Sequence, residues 1–267
     1  MNAVQSTRYL SLIGAVERPP SMSALSDLVT AQIGTIPFEN LSKLIHRARD
    51  APPSIPSLDA FLGAVERDNL GGTCYACATH FNALLRRLGY DVRLCGAAMN
   101  RPDVHIVNVV HLDDRDLLVD VGYAAPLFSP LPLDAAGPVS VALGAERYVL
   151  HTRDADGRNR LDHLRDGEVI HGYTVDPTPR EPAHFAPAVE DSFRPESEFL
   201  NCLRLVRHRP ERSLSLHDLG ITVIEGDAVR KIAATNVKEL QGLIVDLFGI
   251  PASVSGAAIT VLGDRWP

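Results

Sequence analysis

The sequence predicts an α+β fold laid out in three successive sections, and three observations carry that expectation. Apolar residues recur with a 3.6-residue period as far as Leu88. After Gly89 the period falls to 2, in short runs separated by Asp- and Gly-rich turns. A last section mixes strand runs with one strong helical stripe. The divisions fall at 1–88, a helical bundle; 89–200, an antiparallel sheet or barrel; and 201–267, an α/β section. The chain has 267 residues, of which 45% are hydrophobic and 22% charged, enough to bury a sizeable core.

In order, residues 7–13 read as a short helix ended by Gly14. Ser21 or Ser23 can cap a second helix, with Met22, Leu25, Leu28, Val29, Gln32 and Ile33 at helical spacing. Ile36-Pro37-Phe38-Glu39-Asn40-Leu41 ends it, because Pro37 drives Ile36 out of the α region. Residues 51–56 form a proline-rich loop. Ser57 caps a third helix with Leu58, Phe61, Leu62 and Val65 inward. A fourth begins at Cys74, with apolar residues at 77, 78, 81, 84, 85 and 88. Strand runs follow at 92–99, 105–112, 117–123, 139–143, 148–152 and 168–175, with 113–116 and 154–157 as turns. Residues 176–195 read as a long surface connection. The last section holds strands near 221–224 and 228–232 and a helix over 237–248, ended by Gly249 and Pro251. A final strand is expected at 258–262.

Several function classes are disfavoured. The net charge is −7 and no basic run interleaves with aromatics, so no nucleic-acid partner is expected. No stretch approaches the about 20 apolar residues of a membrane span, and no membrane association is expected. The first residues lack a charged leader before an apolar run, so no signal peptide is expected. The four cysteines, at 74, 77, 95 and 202, form no disulfide framework, which fits a reducing, cytoplasmic setting.

The chemistry centres on Leu70-Gly71-Gly72-Thr73-Cys74. Cys74 opens a helix and lies near the middle of its apolar stripe, so its sulfur should point inward. The free N–H groups and dipole of the helix start favour a thiolate there. A buried core cysteine is the bland alternative. A thiol nucleophile needs a base, and the base an orienting group. His105 and His111 lie on one face of a strand, and Asp120 ends an apolar strand where a carboxylate needs a partner. A tight hairpin centred on Asp114-Arg115 would set Asp120 opposite Val109. His105 would then lie four residues away, roughly 13 Å, and His111 two, so spacing alone leaves both open. Cys74-x-x-Cys77 has redox spacing but follows no βαβ start. Cys95 and His80 make no zinc-ligand pair, so no metal is expected. Gly71-Gly72 lacks the downstream residues of a phosphate loop.

Ile36-Pro37-Phe38-Glu39-Asn40-Leu41, Gly71-Gly72-x-Cys74, His105, Leu118-Val119-Asp120-Val121-Gly122-Tyr123 and Leu247-Phe248-Gly249-Ile250 together resemble the arylamine N-acetyltransferase family, in order over nearly the whole chain. The resemblance implies a helical domain, a β-barrel and an α/β lid. It implies a Cys-His-Asp triad of Cys74, His105 and Asp120, with His111 in reserve. It also implies ping-pong transfer of an acetyl group from acetyl-CoA, as co-substrate, to an aromatic amine or hydrazine. Cofactor-binding residues and oligomeric state are left open.

Three positions depart from that family's pattern. Leu70 replaces an arginine before the glycines, so Glu39 is expected to find another basic partner, such as Arg8. Ala76 replaces a glutamate. Tyr123-Ala124-Ala125-Pro126 replaces a glycine-rich run that helps admit the CoA pyrophosphate. These departures keep two alternatives in view. One is an amide synthase that releases a polyketide or other acyl chain from an acyl-carrier protein; the other is an inactive binding module.

Overall fold

The computed structural model describes residues 1–263, 265 and 266. The N-terminal section is helical: α1 (Ala3–Ile13), α2 (Met22–Thr35), α3 (Leu41–Ala48), α4 (Leu58–Asp68) and α5 (Cys74–Arg87). α1 starts one turn earlier than expected, because Asn2 and Gln5 cap it reciprocally. Ser21 caps α2 through Ala24 N, and Ser57 caps α4 through Ala60 N. α3 was not anticipated. Its first turn is held by Glu39, whose Oε2 accepts from Ser42 N at 2.8 Å. A glutamate before the cap residue is a poor sequence signal for a helix start.

Apolar stripes of α1, α2, α4 and α5 meet in one core that includes Tyr9, Leu25, Val29, Phe61, Phe81 and Leu85. Val110, Leu117 and Val119 of the neighbouring sheet close it. The cost of ordering this section is offset by burial of the stripes, at about 25 cal/mol for each Å² removed from water.

The central sheet is antiparallel and nearly closed. Its strands are β2 (Asp91–Ala98), β3 (His105–Leu112), β4 (Arg115–Val119), β5 (Leu131–Pro132), β6 (Val139–Leu143), β7 (Glu146–Leu150), β8 (Asn159–Arg165) and β9 (Glu168–Arg180), in the order β5-β4-β3-β2-β9-β8-β7-β6. Its interior holds Val107, Val109, Leu118, Tyr148, Leu161 and Tyr173. The β3–β4 hairpin differs from the expected register. Asp113 and Asp114 both adopt positive φ, forming a two-residue turn that pairs Leu112 with Arg115 and Asn108 with Val119. Val109 therefore faces Leu118, and Asp120 runs past the end of the ladder.

Residues 176–195 are not a plain surface connection. β9 runs on to Arg180 across a register shift opposite Cys95 and Ala97. A 3-10 turn, Pro182–Phe185, and α6 (Ala186–Asp191) then fold back. Phe185 and Val189 are buried against Cys74, Leu94 and Ile106, so an apolar pair hidden among polar residues decides this segment.

A second antiparallel sheet pairs β1 (Phe38–Glu39), β10 (Arg204–Arg209), β11 (Arg212–His217), β12 (Gly220–Glu225) and β13 (Ala228–Ala233) in that order. β10 and β11 precede the two expected strands, now β12 and β13. Its edge strand, β1, comes from the proline-broken hexapeptide and pairs Glu39 with Leu205. α7 (Val237–Phe248) lies where expected, between the Asn236 cap and Gly249. The final strand expected at 258–262 is instead the end of α8 (Ala252–Val261). There Ser255, Ala258 and Ile259 form a helical stripe in the core shared with α7 and α3, and tertiary packing overrides the β-branched local preference. Among the described residues no helix is long and apolar enough to cross a membrane.

Candidate active site

Cys74 is the first residue of α5 and is buried. Thr73 caps the helix through its backbone alone, with no side-chain bond, so donors of the first turn stay free beside the sulfur. The seat is shaped by close backbone approach. A Cβ on Gly71 would lie 2.1 Å from Pro37 O, and one on Gly122 would lie 2.8 Å from Cys74 Cα. The first contact locks the loop before Cys74 to the hexapeptide. The second brings the segment after β4 against the backbone of Cys74.

That segment carries Asp120, which the end of β4 delivers to His105 at the start of β3. His105 Nε2 and Asp120 Oδ2 are 2.8 Å apart, and both side chains are essentially inaccessible. The remaining Asp120 valences are filled. Gly122 N donates to Oδ1 at 2.9 Å, and Tyr173 OH donates to Oδ2 at 2.6 Å. Tyr173, on β9, also sets its ring 4.8 Å from the imidazole. Burial pulls the His105 pKa down, but the Asp120 charge and hydrogen bond, with further contributions from Cys74, outweigh it and raise it to about 10. Burial and the Asp120 charge push the Tyr173 phenol well up, so it remains a donor. Cys74, His105 and Asp120, singled out from the sequence, thus converge. His111 does not join them: it is on the outer part of β3, half exposed, and bonds Asp116 at 3.1 Å.

Glu39 does not pair with a basic residue. Arg8 bonds Glu66 instead, at 2.6 Å. Fully buried, Glu39 accepts from Gly72 N at 2.6 Å and Ser42 N at 2.8 Å, while its own N–H donates to Gly72 O at 3.0 Å. Burial raises its pKa, and the two N–H donors oppose that rise. The carboxylate therefore stitches the Cys74 loop to the start of α3. Cys77 faces the core, with its thiol donating to Gly71 O at 3.4 Å. Burial, and then the charge of Cys74, raise its pKa strongly, which leaves it a structural thiol.

Two residues escaped the sequence. Tyr173 sits in a strand that was read, and the signal was available: a buried tyrosine needs a partner for its hydroxyl. Ala124 gave none. It adopts φ 60°, a conformation glycine favours, and its carbonyl accepts from His208 Nε2 at 2.9 Å.

Comparison with known proteins agrees with this architecture. An N-acetyltransferase family model matches residues 21–256. The arylamine N-acetyltransferase of Mycolicibacterium smegmatis is 29% identical over 256 residues, covering 91% of this chain and 90% of that protein. Proansamycin X synthase of Amycolatopsis mediterranei is 28% identical over 187 residues, covering 66% of this chain and 70% of that one. The fold matches that of Mycobacterium marinum arylamine N-acetyltransferase in complex with CoA, with a TM-score of 0.83, 24% identity and coverage of 98% of this chain and 99% of that one. The chain therefore belongs to the arylamine N-acetyltransferase family of acyltransferases.

Proposed function

We propose that the protein transfers an acetyl group from acetyl-CoA through a thioester on Cys74 to an aromatic amine or hydrazine. The observation that carries this reading is the buried His105–Asp120 pair, 2.8 Å apart, set against a cysteine at a helix start. The Cys74 thiolate, paired with His105 as an imidazolium that Asp120 holds, attacks the thioester carbonyl. Free N–H groups at the start of α5 are the candidate donors to the oxyanion. CoA leaves as the thiol with a proton from His105. The amine then attacks the acetyl-cysteine, His105 accepts its proton, and the amide departs as Cys74 is restored. In this reading residues 1–88 carry the nucleophile, 89–200 the base and its orienter, and 201–267 the lid. Four free cysteines fit a cytoplasmic setting.

Incubation with acetyl-CoA followed by intact-mass measurement tests the first half-reaction. One acetyl group should appear on the wild-type chain and none on Cys74→Ala. A second reading, release of an acyl chain from a carrier protein as an amide, draws support from the likeness to proansamycin X synthase. It would displace the first if only a carrier-bound acyl thioester loads Cys74.

A further inference from the structure

A second feature lies on the other side of the α5 start from the His105–Asp120 pair. A cavity of about 160 Å³, open to solvent at its mouth, runs between α3, α4, the first turn of α5 and α6. Cys74, His105 and Asp120 do not line it. Leu70 and Ala76 do, and these are two of the positions where the chain departs from the family pattern. Its walls are mostly apolar, with Ile55, Phe61 and Phe193 among them.

One charge faces this space. Lys43, on α3, is only 7% exposed. Its ammonium donates to Ser192 Oγ at 2.6 Å and stands 4.1 Å from the centre of the Phe193 ring. An ammonium has three donors, so one hydroxyl and one ring face leave it under-supplied. Among the described residues no aspartate or glutamate lines the cavity. Buried charges are ordinarily paired, and a lysine without a counter-ion in an apolar cavity shifts toward neutrality instead. Burial does lower the Lys43 pKa to about 8, the charge of Cys74 opposing part of that change. The position thus combines a buried cation, a missing anion and an apolar chamber with an opening.

We propose that this cavity is a binding site for a small organic carboxylate, whose carboxylate pairs with Lys43 beside Ser192 while its apolar body packs against Phe61, Ile55 and Phe193. The site is separate from the Cys74 cleft and does not depend on the acyl-transfer reading.

The probe is benzoate, with benzamide as the uncharged molecule of the same shape, titrated calorimetrically into the full-length chain at constant ionic strength. Benzoate should bind at least tenfold tighter than benzamide. Lys43→Met, which removes the charge and keeps the length, should reduce benzoate to the affinity of benzamide and leave benzamide unchanged. Ala60→Trp, at an exposed rim position of α4, should weaken both by tenfold or more without touching the core. Equal affinities for the two probes would overturn the proposal, as would benzoate binding that survives both substitutions. Inorganic phosphate binding as tightly as benzoate would replace it with a simple anion site.

Discussion

Gly122→Ala tests whether close backbone packing, rather than Cys74, His105 and Asp120 alone, sets the geometry of the site. An added Cβ would stand 2.8 Å from Cys74 Cα, 3.1 Å from its Cβ and 3.2 Å from its carbonyl oxygen. Normal carbon contacts begin near about 3.5 Å, so the segment after β4 and the start of α5 must separate by roughly 0.5–1 Å. Neither wall is a flexible side-chain end, because both are backbone. Overpacking of this kind costs about 1–3 kcal/mol, which for a chain of this size lowers the melting temperature by about 2–12 °C. The same shift moves Asp120, two residues away and bonded to Gly122 N, relative to Cys74. A misplacement near 1 Å costs roughly 100-fold in rate. The assay is the rate of CoA release during acetylation of Cys74, followed with a thiol reagent, beside a thermal melt. Gly137→Ala is the control, since nothing lies within 4 Å of the added carbon. A Gly122→Ala protein that melts within 1 °C of wild type (about a third of a kcal/mol by the same scaling) and acetylates within about twofold would refute the reasoning.

Four further outcomes follow from the same geometry. Tyr173→Phe removes one of three donors to Asp120 and should cost about 1.5–3 kcal/mol of stability and roughly tenfold in acetylation, read by urea unfolding and CoA release. His105→Ala should abolish acetylation while His111→Ala retains most of it; comparison of the two rates decides which histidine is the base. The His105 pKa, raised in the folded chain to about 10 from about 6.5 unfolded, gives stability that is full below pH about 6.5 and lost as pH rises through about 10. The gap in unfolding free energy between wild type and His105→Gln should therefore narrow from pH 7 to 10, and a constant gap would contradict the assignment. Glu39→Gln turns one acceptor into a donor facing an N–H already in place, and a loss of about 1–3 kcal/mol in urea unfolding is expected.

The helices up to Cys74 were largely legible because their stripes, caps and stops coincide. Ser57 precedes Leu58, Phe61, Leu62 and Val65, and all but Leu58 are fully buried. Legibility failed where distant contacts decide. Residues 258–262 carry β-branched residues that favour a strand locally, yet they pack as a helix against α7 and against α3, which lies at residues 41–48. β10 places Leu205 and Val206 side by side among arginines and so breaks the alternation of a strand; its pairing with β11, and that of β11 with β12, makes the sheet. In the candidate site, spacing left His105 and His111 open and the family resemblance favoured His105; the structure sets His105, not His111, beside Asp120. Two aspartates in the left-handed region move the register by two residues, and no spacing rule distinguishes that turn from its neighbours.

The departures around Cys74 have a common physical consequence. With leucine at 70 there is no guanidinium to neutralise Glu39, and the carboxylate turns to the backbone instead. Its two oxygens tie Gly72 N and Ser42 N, one from the loop before Cys74 and one from the first turn of α3. Charge-assisted bonds to N–H groups hold an anion without a cation, as they do at helix starts. The loop therefore keeps its shape through Glu39, and Gly71 packs against Pro37 as tightly as a glycine can. What changes is the space behind it. Leucine at 70 and alanine at 76 put no charge into the cavity beyond the first turn of α5, and Lys43 is left there facing Ser192 and Phe193. The seat of Cys74 and the chamber behind it are thus two answers to the same pair of residues: one is closed by a buried carboxylate, and the other is open and carries a buried cation.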